Sequence, residues 1–247
     1  MRFPDHFSDT ADRYARFRPG YPDELFEYLA GLAPARGRAW DCGTGSGQAA
    51  QGLAAHFDWV IATDASRQQV RRRRLSDGVV YTVCAAEAAP LAATSIDLIA
   101  VAQAVHWFDM RGFYAEVRRV ARSGGIIAVW SYNLCTIASA IDAVVRRYHG
   151  EVVGPYWPPE RSVVETAYRT IAFPFAELAA PDFEMTADWS LADFAGYLGT
   201  WSSSRGYRRA TGADPLDVIR EELADAWGDP DHSRRVVWPL HLRVGRV

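Results

Sequence analysis

Residues 38–48, Arg-Ala-Trp-Asp-Cys-Gly-Thr-Gly-Ser-Gly-Gln, constrain the fold more than any other stretch of the chain. A short strand ends in an acid, Asp41, and runs at once into three alternating glycines, Gly43, Gly45 and Gly47, before a helix opening at Gln48. Glycines at that spacing give a turn tight enough for a ligand to lie against backbone, which a Cβ would obstruct. A carboxylate just before such a turn repels a pyrophosphate and suits an ammonium group or ribose hydroxyls.

The alternation continues downstream. The pattern predicts a helix over Gln48–Ala55, a strand over Trp59–Thr63, a helix over Ser66–Leu75 and a strand over Val79–Cys84. An apolar strand over Ile96–Ala102, a helix over 111–122 and a strand over Ile126–Trp130 follow. Pro22 with Asp23 and Glu24 behind it reads as the start of a helix reaching about Leu32. Strands alternating with helices imply an α/β fold with a parallel sheet and right-handed crossovers. After Trp130 the rhythm changes to a helix over 136–149, a stiff aromatic loop from Gly154 to Pro159, and a strand over Phe183–Trp189. Ser190 and Asp193 have capping-box spacing ahead of a helix to about Ser202. A helix over Pro215–Trp227 and a strand over Arg235–Val247 end the chain.

Composition removes several function classes. The net charge is −3, which gives no global electrostatic case for nucleic acid or membrane binding. All 27 basic residues are Arg, so neither a Schiff-base lysine nor a P-loop lysine exists. The run Arg71 to Arg74 spreads around a helix without an aromatic stacking platform, as a solvated face does. Cys42, Cys84 and Cys135 form neither a disulfide framework nor a zinc pattern, so no metal is expected. No signal peptide or membrane-length apolar run is visible, and the expectation is a cytoplasmic protein, monomer or homodimer, with no membrane partner.

Three features fall where a doubly wound sheet binds ligands, at the carboxyl ends of strands. They are the Asp41–Gly47 loop, Asp64 with Ala65 and Ser66 after the second strand, and Cys84 to Glu87 after the third. Asp64 there can accept hydrogen bonds from both ribose hydroxyls, and backbone near Ala86 and Glu87 can read an adenine edge. The plainer reading makes Asp64 and Ser66 helix caps. Asp41 favours S-adenosylmethionine over a dinucleotide. A Gly-x-Gly-x-x-Gly fingerprint from Gly43 fails at Gln48, and one from Gly45 needs Ala50 in the last place. A nicotinamide-dependent oxidoreductase therefore stays as an alternative.

With these residues in view, the chain resembles the class I S-adenosylmethionine-dependent methyltransferases, of the type 11 and trans-aconitate methyltransferase-like group. The resemblance rests on Asp41 to Gly47, on Phe7-Ser8, Tyr14 and Arg18-Pro-Gly-Tyr-Pro22, and on Ala86-Glu87. It rests further on Gln103-Ala-Val-His-Trp-Phe-Asp109 and on Tyr156-Trp157 leading to Tyr168 and Phe173-Pro-Phe175. It implies a Rossmann-like, doubly wound, mostly parallel seven-stranded sheet with a helical and aromatic lid insertion, in one domain spanning 1–247. Within it, 1–35 would be an N-terminal cap and 36–130 the cofactor-binding core. Residues 131–210 would be the lid and substrate region with a late strand, and 211–247 the last helix and strand.

The resemblance also implies roles. Gly43, Thr44, Gly45 and Ser46 would pack on the methionine portion, and Asp41 would orient its ammonium group directly or through water. Asp64 and Ala65 would hold the ribose, with Ser66 and Gln69 beside the adenosine. Arg18 would pair with the cofactor carboxylate and Tyr14 would cover the site. Gln103 and Ala104 would stand beside the methyl-donating end. His106 is a candidate substrate contact or general base, or a structural histidine bonded to backbone. Trp107, Trp157, Tyr168 and Trp201 are candidate pocket walls, and Arg161 and Arg205 candidate holders of an acidic acceptor. The expected reaction is methyl transfer to a small molecule, most readily to a carboxylate or hydroxyl oxygen, leaving S-adenosylhomocysteine. A protein that binds S-adenosylmethionine without catalysis is the other alternative.

Overall fold

A computed structural model describes residues 19–73 and 75–247. The strands are β1 (Arg38–Cys42), β2 (Trp59–Asp64), β3 (Val79–Val83), β4 (Ile96–Ala102), β5 (Ala121–Tyr132), β6 (Ala176–Leu178), β7 (Phe183–Trp189) and β8 (Arg234–Arg246). They form one sheet in the order β3-β2-β1-β4-β5-β8-β6, with β7 also on β8. The first five are mutually parallel. β8 runs antiparallel to β5, and its far edge carries β6 near residues 244–246 and β7 along 234–240. Eight strands thus fill seven positions, and the mostly parallel seven-position Rossmann-like sheet expected from the sequence is present.

The parallel strands are apolar on both faces, as a sheet covered by helices on each side requires. Leu98 and Ala100 of β4 and Ile126, Ala128 and Trp130 of β5 join one core. The alternate residues Ile99, Val101, Ile127 and Val129 join the other. Helices α1 (Asp23–Leu32) and α2 (Gln48–Ala54) cover the first face through Leu25, Leu29, Ala50 and Leu53. On the second face, α4 (Met110–Val120) buries Phe113, Val117 and Val120, one helical stripe at i, i+4 and i+7. Full burial of such side chains contributes roughly 1.5–3 kcal/mol each.

Several boundaries differ from the sequence reading. Helix α3 is only Arg67–Arg71, because Val70 is its one buried residue and Leu75 is 81% exposed, leaving nothing apolar to hold another turn. β5 is longer at both ends, starting at Ala121 and passing Gly124 at φ +74°. Helices α5 (Ser139–Arg147) and α6 (Arg161–Glu165) precede β6, and α7 (Leu191–Gly199) starts with the expected capping box, Ser190 and Asp193 bonding reciprocally. The chain then forms a further helix, α8 (Ser202–Thr211), where the sequence reading ends its helix. Last comes α9 (Arg220–Trp227), after a 3-10 turn at Pro215–Val218.

Asp97 ties the start of β1 to β4. Wholly buried, it accepts the Gly37 and Arg38 amides at 3.1 and 2.8 Å on Oδ2 and the Arg122 guanidinium at 3.0 Å on Oδ1. Removing the carboxylate leaves three donors to find other partners, two of them at the base of the strand that carries the glycine turn. Asp97→Ala is expected to lower stability by roughly 2–4 kcal/mol in urea unfolding; an unchanged midpoint would show that the anchor is dispensable.

Candidate active site

The turn after β1 is held by its neighbours. Gly43 and Thr44 donate their amides to Thr63 O at 2.8 and 2.9 Å, and Gly45 donates to Asp64 Oδ2 at 2.9 Å. Gly43, Gly45 and Gly47 all have positive φ, at 73°, 56° and 91°. A Cβ on Gly43 would come within 2.5 Å of Ala104 Cβ, and one on Gly47 within 2.1 Å of Tyr81 Oη. At Gly45 nothing lies within 4 Å of that position, so the loop turns bare backbone toward open space.

Asp41 stands behind this loop. It is fully buried, accepts the Thr44 hydroxyl and does not line the cavity described below. What the structure assigns to Asp41 is the bond that holds the turn, one residue behind the backbone that lines the cavity. Burial pushes its carboxyl up to about 7, while the Thr44 hydroxyl and, more weakly, the Ala50 amide pull the other way. Asp41 Oδ1 is buried without a hydrogen-bond partner among the described residues.

A cavity of about 190 Å³ opens in front of the loop. Gly43, Thr44, Gly45 and Ser46 of the first loop line it, with Asp64, Ala65, Ser66 and Gln69 of the second and Ala86 and Glu87 of the third. Asp64 Oδ1 also accepts the Ser66 amide at 2.8 Å, and Ser66 Oγ caps α3 by accepting the Gln69 amide. The capping alternative is thus met by Ser66, which still faces the cavity. Glu87 Oε1 accepts the Asp109 amide at 2.9 Å, tying the third loop to the fourth. Tyr14 and Arg18 lie outside the described residues.

The fourth loop closes the cavity and opens another. Gln103 sits at φ +53°, a conformation that costs energy in a non-glycine residue. It is held there by its amide on Trp130 O at 2.9 Å and its Nε2 on Tyr132 O at 2.8 Å. Gln103 and Trp107 line both the first cavity and a second one of about 90 Å³, while Ala104 lines only the first. His106, Trp157, Arg161 and Trp201 line the second. Trp157 and Trp201 pack at 5.5 Å, and the Arg161 guanidinium lies 4.5 Å over the Trp157 ring while bonding Asn133 Oδ1. His106 and His149 are both lowered to about 4, by burial first and by the Arg161 charge second. Both imidazoles are thus neutral at physiological pH, and the Glu165 carboxylate lies 3.8 Å from the Arg161 Nε.

Two expected pocket residues sit elsewhere. Tyr168 is wholly buried behind His106, its hydroxyl 2.9 Å from His106 Nδ1, because the turn after α6 swings it inward at φ +59°. Arg205 lines a separate surface cleft with Tyr156 and Arg209, since α8 carries it one turn past Ser202 and Trp157 and Pro158 stand between the two spaces. The sequence reading also missed members of both walls. Tyr21 and Phe108 border the first cavity, and Tyr132, Asn133, Tyr197 and Thr200 the second. Tyr132 ends β5 and Asn133 follows it, and that place at the carboxyl end of a strand is the one signal that could have found them. Tyr197 and Thr200 arrive through helix packing that leaves no local trace.

The comparisons with known proteins agree with this geometry. The family profile described as a methyltransferase domain, type 11, matches residues 40–129. A protein of Dictyostelium discoideum assigned as a methyltransferase is 34% identical over 252 aligned residues, covering 99% of this chain and 96% of its own. A solved structure from Anaeromyxobacter dehalogenans, assigned as a type II methyltransferase, is 48% identical with a TM-score of 0.88, covering 93% of this chain and 98% of that one. The tRNA 5-carboxymethoxyuridine methyltransferase of Escherichia coli is 29% identical over 52% of this chain and 56% of its own. The chain belongs to the class I S-adenosylmethionine-dependent methyltransferases, type 11 family. It is an enzyme whose cofactor is S-adenosylmethionine, which removes the nicotinamide and non-catalytic alternatives. Among the described residues no group of three or more His, Cys, Asp or Glu could hold a metal ion, and no helix is long and apolar enough to cross a membrane.

The buried acid behind the loop has a pH signature. A carboxyl whose pKa is raised on folding favours the folded state below its unfolded value, and that contribution is lost as pH rises through the folded value. For Asp41 the window runs from about 4 to about 7. Asp41→Asn keeps an oxygen for Thr44 and should fold while losing this part of the slope. Parallel urea-midpoint curves for the two proteins across that range would contradict it.

Proposed function

We propose that the first cavity seats S-adenosylmethionine and the second receives a small acidic acceptor, which the enzyme methylates on oxygen. The observation that carries this reading is the shared wall: Gln103 and Trp107 border both spaces, so ligands in the two cavities meet there. The donor set of the first cavity fits the cofactor. Bare backbone at Gly45 accommodates a close-lying methionine portion, and the Asp64 carboxylate at the strand end suits ribose hydroxyls. Cys84 to Glu87 lie where an adenine edge would fall. When bound, the cofactor supplies an activated methyl group on a sulfonium.

The remaining contributions belong to the chain. Arg161 puts a guanidinium in the second cavity beside two neutral histidines, an arrangement that suits a carboxylate. Trp107, Trp157 and Trp201 exclude water from the space in which the acceptor would lie. Alignment of two reactants in this way can contribute roughly 7–11 kcal/mol to a transfer. The 131–210 region, which supplies Trp157, Arg161 and Trp201, acts as the acceptor-binding lid.

The test is a screen of small carboxylic acids, phenols, amines and bulk tRNA for S-adenosylhomocysteine formation, joined to calorimetry. Carboxylates are expected to turn over, and Arg161→Ala to raise their KM at least tenfold. Asp64→Ala is expected to weaken both S-adenosylmethionine and S-adenosylhomocysteine by roughly 10- to 100-fold. Turnover of tRNA alone would overturn the small-acceptor reading, and turnover of amines alone the acidic one.

A further inference from the structure

The hydroxyl of Tyr168 has one hydrogen-bond partner among the described residues, His106 Nδ1 at 2.9 Å. The side chain is wholly buried, and burial raises its pKa, so its proton stays on the oxygen. A buried O–H has to donate, and Nδ1 is the acceptor it reaches. Nδ1 therefore presents its lone pair, and a neutral imidazole then carries its proton on Nε2. The opposite tautomer would leave the phenol proton without an acceptor among the described residues. The ring lines the second cavity, and its Nε2 is not among the side-chain atoms buried without a partner. Arg161 and Asn133 line the same cavity, and Nε2 is the ring nitrogen that Tyr168 leaves unengaged.

We infer that His106 is a hydrogen-bond donor to the methyl acceptor, through an Nε2–H whose tautomer Tyr168 fixes, and not the base that takes a proton from it. The inference rests on reading the second cavity as the acceptor site. Tyr168 becomes a positioning residue, acting on the acceptor only through the ring. An acceptor whose oxygen is already ionised loses nothing by the arrangement. Its carboxylate oxygen forms the O–CH3 bond as the S–CH3 bond breaks, the electron pair stays on sulfur, and no proton moves. Arg161, Tyr132 and Tyr197 face the same cavity, with His149 beyond Trp157, and none of them is an anion that would hold a proton on Nδ1.

Nitrogen-15 spectra of the histidine rings in the full chain read the tautomer with no acceptor present. The Nε2–H form is expected from roughly pH 6 to pH 9, with Tyr168→Phe admitting a share of the other tautomer. A wild-type Nδ1–H form, or a protonation midpoint near the ordinary value of about 6.5, would overturn the inference. The donor role is read with succinate, benzoate and phenylacetate as probes, and phenol as the acceptor that needs a base. His106→Gln can donate from nearly the same place but cannot take up a proton. It should keep kcat/KM on the carboxylates within about tenfold, while His106→Ala loses about a hundredfold. Equal losses in the two variants on the carboxylates, or wild-type phenol turnover that the Gln variant abolishes as fully as the Ala variant, would contradict the donor role. Turnover of none of the four probes would count against the acceptor reading of the cavity, and the spectra would still decide the tautomer.

Discussion

Two backbone amides, those of Gly43 and Thr44, converge on the carbonyl of Thr63, and the next amide along, Gly45, reaches the Asp64 carboxylate. These bonds fasten the turn after β1 to the end of β2, and from behind Asp41 holds Thr44 by its hydroxyl. Positive φ at three successive glycines makes the turn possible, and the bonds select one shape of it. The Gly43 position also packs so closely on Ala104 and Phe108 that the fourth loop takes its place from the first. The wall between the two cavities is therefore set by the same contact that shapes the turn.

The second cavity follows a different physical logic. It is lined by aromatic rings with one guanidinium among them, and the histidines beside that charge are held neutral by burial and by Arg161 itself. Charge in partly buried surroundings is less screened than in water, and on the proposed reading the guanidinium is what favours an acidic guest over a neutral one. Gln103, strained at the junction, belongs to both spaces and is fixed by two carbonyls of β5. Backbone strain of this kind clusters at functional sites.

The parallel half of the sheet could be read from the chain because its signals are local. Strand ends, glycines and acids follow one another within a few residues from Asp41 through Glu87, and the ends of β1, β2 and β3 fall within a residue of the expected places. The antiparallel side was harder. β6 has three residues, and α8 is polar along most of its length, with Ser203 buried through small size and Ser204 bonded to Tyr148 Oη and Leu198 O. No apolar period announces such a helix. The same limit explains Tyr168 and Arg205: aromatic and arginine residues in the lid looked alike in sequence, and only packing sent one behind His106 and the other to a separate cleft. Asp41 was legible as an acid beside the glycines, but its burial was not.

The central claim is that two ligands meet at the wall formed by Gln103 and Trp107. A structure of the chain with S-adenosylhomocysteine measures this most directly. The account predicts the sulfur beside Gln103 and Trp107, turned toward Arg161, with the ribose hydroxyls on Asp64. A sulfur turned away from that wall, or a nucleoside seated in the second cavity, would contradict it.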